Sequence, residues 1–144
     1  MNIIQKIHKL IFSGKSVLDS FENALLDILE ENLSESDKEI ISSQRQLFNK
    51  VYRDNEEEKN KETSYFYWQY LGKSRIDFPK RFPASTKEHQ LAELIVTLPS
   101  SDKIKVLYWV VNGILFSLEM HSESGVFRPL SPDFEVSDIK IDAL

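Results

Sequence analysis

The sequence predicts an α+β domain in which an N-terminal three-helix segment packs on one face of a four- to five-stranded antiparallel meander sheet. Apolar residues recur at helical 3-4 spacing in the first third of the chain, whereas β-branched and aromatic runs fill most of the remainder. Helices that precede the strands, rather than alternate with them, favour an antiparallel sheet covered on one side. We read all 144 residues as a single domain, with a helical part at 1–54 and a sheet part at 64–144.

Three amphipathic segments make up the helical part. Residues 2–12 predict a first helix ended by Gly14, and Ser16 is the expected N-cap of a second helix that reaches Leu33. Ser34 is the expected N-cap of a third helix that ends near Arg53. Residues 54–63 contain no apolar side chain, so we expect a solvated loop between the two parts.

The sheet part is organised around Asn112-Gly113, which separates two apolar runs. Because both central residues of a type I′ turn need positive φ, this pair predicts a hairpin with strands at 104–111 and 114–121. The two-residue turn sets the register, so that Trp109 opposes Phe116 on an apolar face expected to meet the helices. The opposite face, expected to meet solvent or a partner, carries Tyr108, Ser117, Glu119 and His121.

Further strands are expected at 65–71, 91–98 and 134–141. The last of these has a predicted bulge near Ser137-Asp138, where the alternation of apolar and polar residues slips. Residues 73–86 contain two prolines and four cations, and we read them as an irregular connection.

Composition excludes several classes of protein. The chain has no cysteine, which rules out disulfides and thiolate chemistry and permits a reducing compartment. The first residues lack the apolar core of a secretory signal, and no apolar run approaches the roughly 20 residues of a membrane span, so we expect a cytoplasmic protein. The net charge of -5 argues against binding to nucleic acid. Residues 63–90 form a small basic island, with 5 cations against 2 acids.

No cofactor or metal site is expected. The three histidines, His8, His89 and His121, are not spaced as metal ligands, and the four glycines are too scattered to form a phosphate-binding loop. The aromatic run at 65–70, followed by cations, is compatible with a single-strand nucleic-acid binder, but the neighbouring acidic blocks would repel phosphate.

Glu119 and His121 form the best catalytic candidate. Their spacing of two places both on one face of a strand, where a carboxylate and an imidazole can perform general acid–base chemistry on a phosphodiester. Tyr108 and Ser117 are expected on the same face. The alternative explanation is that these are ordinary polar residues on the solvent side of a half-buried sheet.

The C-terminal third of the chain, from 104–108 through 111–119 to 131–136, resembles small bacterial cytoplasmic immunity proteins of polymorphic or contact-dependent toxin systems. The resemblance is one of hairpin style and of a small, acidic, cysteine-free type. It implies a non-enzymatic protein that neutralises a toxin domain by binding it.

An acidic strip on the second helix is compatible with an ordinary solvated helix face or with a surface that steers a basic protein partner. Combined with the exposed sheet face, it suggests six contact residues: Glu22, Asp27, Glu30, Glu31, Tyr108 and Glu119. Two alternatives stay open, namely a small hydrolase or nuclease that uses Glu119 and His121, and a structural or adaptor subunit whose apolar sheet face pairs with another copy.

Overall fold

Two helices precede the sheet in the part of the chain that the computed structural model describes, which comprises residues 17–83, 88–125, 127 and 133–142. Helix α1 spans Ser20–Glu31 and helix α2 spans Glu35–Leu47. Asp19 caps α1 through a reciprocal capping box with Glu22, and Ser34 caps α2 as predicted. The predicted helix at 2–12 and the Ser16 cap lie outside the described residues.

The strands form one large and one small antiparallel sheet. Six strands pair in the order β1-β2-β7-β6-β5-β8, while β3 and β4 form a separate short hairpin. A 3-10 turn, Glu57–Lys59, joins β1 to β2. The strand bounds are β1 Lys50–Glu56, β2 Lys61–Tyr67, β3 Gln69–Tyr70, β4 Lys73–Ser74, β5 Glu88–Thr97, β6 Lys103–Val111, β7 Ile114–Ser122 and β8 Glu135–Ile141.

The prediction of a third helix reaching Arg53 is wrong beyond Leu47. At Phe48 the backbone becomes extended, and β1 then pairs along its whole length with β2, with Val51 opposite Phe66. The predicted loop at 54–63 is wrong for the same reason, because both of its ends are strand residues. The sequence does not indicate this strand because β1 is an edge strand. Its exposed positions carry polar, solvated side chains, which do not form the apolar pattern of a strand. The sheet therefore has six strands rather than four or five.

The Asn112-Gly113 hairpin is confirmed, but its inner face is not the predicted one. Both residues have positive φ, 51° and 80°, as a type I′ turn requires. A bulge at Phe116 then shifts the register, so that Trp109 pairs with Ser117. The face that meets the helices consequently carries Tyr108, whereas Trp109 lies on the other face. The β8 bulge at Ser137 agrees with the prediction.

The core lies between the two helices and one face of the six-stranded sheet, which we call the inner face. Tyr108 is fully buried there, and its hydroxyl donates a 2.7 Å hydrogen bond to the carbonyl oxygen of Leu25 in α1. The other fully buried side chains of highest volume are Phe21, Leu25, Leu26, Leu29, Ile41, Leu91, Leu94, Ile104, Leu115, Leu118 and Met120. Burial of this apolar surface is the main stabilising contribution to the fold.

Gln44 ties α2 to the hairpin turn. Its amide nitrogen donates to the carbonyl oxygens of Lys80 and Gly113, both at 3.0 Å, and its amide oxygen accepts a 2.8 Å bond from the Leu115 backbone N–H. The side chain is fully buried, so these bonds replace the water that its polar atoms would otherwise need. This anchorage fixes the end of the hairpin relative to the helices.

Candidate protein-interaction face

The sheet face opposite the helices, which we call the outer face, is the principal candidate site. Cross-strand pairing places Tyr52, Tyr65, Ser117, Trp109 and Gln90 side by side across five strands of this face. Its larger side chains are partly or largely exposed, in contrast to the inner face, where the apolar side chains of β5, β6 and β7 are buried. An antiparallel sheet with one face packed and one face open is common, but the open face is then usually polar.

The outer face instead carries a connected group of aromatic rings at the β1–β2–β7 side. The ring of Phe116 packs edge-on against the rings of Tyr65 and Tyr67, with distances between ring centroids of 5.3 Å and 6.4 Å. Tyr65 in turn lies 6.2 Å from Tyr52, whose side chain is 56% exposed. We call these four residues the aromatic row. The bulge at Phe116 has a direct consequence for this row, because it brings the Phe116 ring among the tyrosines while Leu115 and Leu118 remain in the core.

Charged side chains flank the aromatic row and pair with one another. Glu119 accepts from His121 at 2.7 Å and lies 3.4 Å from the Lys61 ammonium, which also approaches Glu56 at 3.8 Å. Hydrogen bonding from Lys59, supported by its charge, lowers the pKa of Glu56. Glu119 and His121 lie on one face of β7, as their spacing predicts, and the structure adds the hydrogen bond between them and the nearby Lys61 ammonium.

Two of the six predicted contact residues are inside the protein. Tyr108 lies on the inner face, and burial raises the pKa of its phenol. Glu22 is fully buried and forms an ion pair with Arg53 of β1. Neither side chain has a surface to offer a partner, so both are removed from the candidate contacts. The sheet also separates Tyr108 from Glu119 and His121. Tyr108 is therefore not part of the predicted catalytic group, whereas Ser117 lies on the same face as the pair.

Part of the acidic strip on α1 forms ion pairs within the protein. Arg45 of α2 bonds to the carboxylates of both Asp27 and Glu30, and the Glu30 side chain is mostly buried. Asp27 remains exposed despite this bond, and Glu31 is exposed. The helical strip thus presents less negative charge than its sequence indicates, and it lies on the far side of the sheet from Glu119.

No protein-family model, curated protein or solved structure matches the chain. The chain's own geometry is therefore the basis for any functional proposal. None of the described helices is long and apolar enough to cross a membrane. Within the described residues, no cluster of three or more His, Asp or Glu side chains is placed to hold a metal ion.

The sequence does not predict the aromatic row, although part of the signal for it is present. Tyr65 and Tyr67 alternate with buried Phe66, which is the period-2 pattern of one strand with two different faces. The contribution of Tyr52 does not show in the sequence, because its segment is predicted to be helical. The predicted register puts Phe116 on the inner face, because the bulge leaves no clear mark in the sequence.

Proposed function

We propose that this protein is a non-enzymatic binding module that binds a protein partner through its outer face. The observation that supports this proposal is the aromatic row, Tyr52, Tyr65, Tyr67 and Phe116, on a sheet face that the described helices leave uncovered. Tyrosine and phenylalanine are enriched at the centre of protein interfaces, where their large surfaces are buried at small cost in side-chain entropy.

The pairing of charges around the row also favours a protein partner. Lys61, Glu119 and His121 satisfy one another at the edge of the row and leave its centre apolar. An apolar centre bordered by polar groups is the usual arrangement of a binding patch. A partner that covers the row would bury the exposed part of Tyr52 without having to strip an unpaired charge of water.

We propose further that the partner is basic and that the protein acts as an immunity protein, which neutralises a toxin domain by covering it. The net charge of -5 supports a basic partner through long-range attraction. Exposed acids at the β1–β2 turn, Glu57 and Glu58, lie at the end of the same strands that carry Tyr52 and Tyr65. They add negative charge at the end of these strands, whereas Asp27 and Glu31 lie on the helical side.

A hydrolase or nuclease is the second candidate, because Glu119 and His121 form a hydrogen bond at 2.7 Å. Two features oppose it. The second carboxylate oxygen of Glu119 faces Lys61, so the group is held as part of an ion-pair network, and Ser117 on the same face is buried. His121→Ala should weaken partner binding only slightly under the proposed function, as a residue at the rim of an interface does, and should abolish turnover under the alternative.

The test is affinity capture from a lysate of the source cells with the protein and two matched variants. Tyr52→Ala/Tyr65→Ala removes half of the aromatic row, and Glu31→Ala removes an exposed acid on α1, on the other side of the sheet. We expect a basic protein that is retained by the parent chain and by Glu31→Ala but lost by the double variant. Urea unfolding of each variant separates loss of binding from loss of folding.

Salt dependence and oligomeric state complete the test. Raising the salt to roughly 0.5 M shortens the screening length to a few Å and should weaken capture of a basic partner. Capture that is equally strong in both variants would contradict the proposal. A dimer in sedimentation that the double variant abolishes would indicate instead that the outer face pairs with a second copy, as in the adaptor alternative.

A further inference from the structure

A groove opens next to the aromatic row, where the β3–β4 hairpin and the chain that follows it meet the tip of the β6–β7 hairpin. Its volume is about 230 Å³. The walls are mostly apolar, with contributions from Tyr67, Trp68, Ile76, Phe78 and Phe116. Tyr67 and Phe116 belong to the aromatic row as well, so the groove is continuous with the outer face.

Two arginines line this apolar groove. The guanidinium of Arg75 forms two hydrogen bonds with the carboxylate of Asp77 and lies 4.9 Å above the ring of Trp68. This stacking and pairing hold Arg75 in one orientation. The hydrogen bond from Arg75 is also the largest cause of the lowered pKa of Asp77, and the charge of Arg81 lowers it further.

Arg81 is the less engaged of the two cations. It is exposed and, among the residues that the structure describes, it is within ion-pair distance of no carboxylate. Arg75 and Arg81 together outweigh Asp77 by one positive charge. The groove thus combines an apolar interior with a net positive rim, on a protein whose total charge is -5.

We propose that the groove binds an apolar-acidic segment of a protein partner, in which a phenylalanine or leucine side chain enters the groove and an adjacent carboxylate meets Arg81. The inference deepens the proposed function and depends on it only in that the occupant is a protein segment. Such a segment would occur locally on a partner that is basic overall.

The size of the groove and its charge select this occupant. Small-molecule sites commonly enclose about 300–1,000 Å³, so a groove of about 230 Å³ suits one anchoring side chain better than a whole drug-sized ligand. Arginine on an apolar wall binds a carboxylate well, because its guanidinium is weakly hydrated and presents several donors. A cationic segment would instead meet repulsion from Arg75 and Arg81.

The probe is the peptide acetyl-Gly-Phe-Asp-Gly-amide, titrated into the ¹⁵N-labelled protein. Trp68 lines the groove and Trp109 does not, so the two indole N–H signals give a reporter and an internal reference in one spectrum. We expect the Trp68 signal to shift and saturate while the Trp109 signal stays in place. Absence of a Trp68 shift at several millimolar peptide would overturn the proposal.

Two pairs of variants resolve the apolar and the ionic contributions. Arg81→Gln should weaken the peptide about fivefold, as expected for a partly exposed ion pair, whereas Lys140→Gln on β8 should not. Ile76→Glu should also weaken it, while Leu71→Glu should not, because Leu71 lies in the turn of the β3–β4 hairpin outside the groove and is even more exposed than Ile76. A peptide with Asn in place of Asp should bind the parent chain and Arg81→Gln equally, because the charge partner is then missing.

Two outcomes would contradict the inference while leaving the proposed function in place. The first is equal peptide affinity for Arg81→Gln and the parent chain. The second is binding of 3-phenylpropionate that is tighter than that of the peptide, which would assign the groove to a small carboxylate. Loss of partner capture in Tyr52→Ala/Tyr65→Ala tests the outer face independently, since neither tyrosine of that pair lines the groove.

Discussion

Arg53 of β1 forms a two-pronged ion pair with Glu22 of α1. Its Nε donates to Oε2 of Glu22 at 3.1 Å, and a terminal nitrogen donates to Oε1 at 2.7 Å. The Glu22 carboxylate is fully buried and also accepts the Asp19 backbone N–H at the start of α1. The pair therefore joins the N-terminus of the first described helix to the edge strand of the sheet, and the hydrogen bond raises the pKa of Arg53.

Replacing Arg53 and replacing Glu22 should lower the free energy of unfolding by different amounts. Arg53→Met leaves a buried carboxylate without its cation and should lower the free energy of unfolding by about 3 kcal/mol. Glu22→Gln keeps a hydrogen-bonding group at the cap and leaves Arg53, which is partly exposed, able to reach water, so we expect a loss of about 1 kcal/mol. Urea unfolding measures both. If Glu22→Gln were the more harmful of the two, the burial argument would be wrong.

Glu62 should make stability depend on pH. It is buried on the inner face of β2, and burial followed by the nearby charge of Glu22 raises its pKa, against the lowering effect of Arg53. A raised carboxyl pKa means that the folded protein favours the protonated form. The stability that the protonated Glu62 side chain contributes is complete below the pKa of about 4.3 in the unfolded chain. It is lost as the pH rises through the higher pKa of the folded protein.

We therefore expect Glu62→Gln to increase the free energy of unfolding at pH 7 and to leave it nearly unchanged at pH 4. Denaturation of both chains across this range gives the comparison. A variant that is less stable than the parent chain at pH 7 would show that the ionised carboxylate is favourable in the fold.

Gly113 and Gly72 form a matched pair for testing the close approach at the hairpin tip. Both have positive φ, +80° and +77°, but a Cβ on Gly113 would lie 2.3 Å from the carbonyl oxygen of Phe82, whereas a Cβ on Gly72 would have open space. Gly72→Ala should cost only about 1 kcal/mol for the left-handed backbone. Gly113→Ala should cost at least about 2 kcal/mol more, because backbone must move. Equal losses would mean that the Phe82 segment yields easily.

Gln44→Leu tests the anchorage of the hairpin to α2. The substitution leaves the Leu115 N–H without its acceptor in a buried place, and we expect a loss of about 2–3 kcal/mol. The carbonyl oxygen of Gly113 keeps its bond from the Phe82 N–H, which limits the damage. Amide exchange at Leu115 should accelerate more than at Leu94, a core residue far from Gln44. Unchanged exchange at Leu115 would contradict this role.

The sequence predicts the features that depend on local chemistry. Ser34 as a cap, Asn112-Gly113 as a hairpin turn and Ser137 as a bulge each follow from residues that lie next to one another. The mixed α+β class follows from apolar periodicity over longer stretches.

Features that depend on contacts between residues far apart in the chain could not be predicted from the sequence. Strand β1 has too few apolar residues to be recognised, and it forms because β2 offers a partner along its full length. The Phe116 bulge exchanges the faces of the hairpin, which moved Tyr108 from a candidate contact to the core. Ion pairing with Arg53 and Arg45 likewise explains why acids that look like a free helix surface are buried or partly screened.

The most direct test of the binding proposal is the affinity of the captured partner for single alanine variants on the two sides of the sheet. We expect Tyr52→Ala and Tyr65→Ala each to weaken binding at least about tenfold, as residues at the centre of an interface do. Asp27→Ala and Glu31→Ala, on the helical side, should change it less than about threefold, through long-range charge alone. The reverse order, with the helical acids dominant and the tyrosines neutral, would contradict the assignment of the outer face as the binding surface.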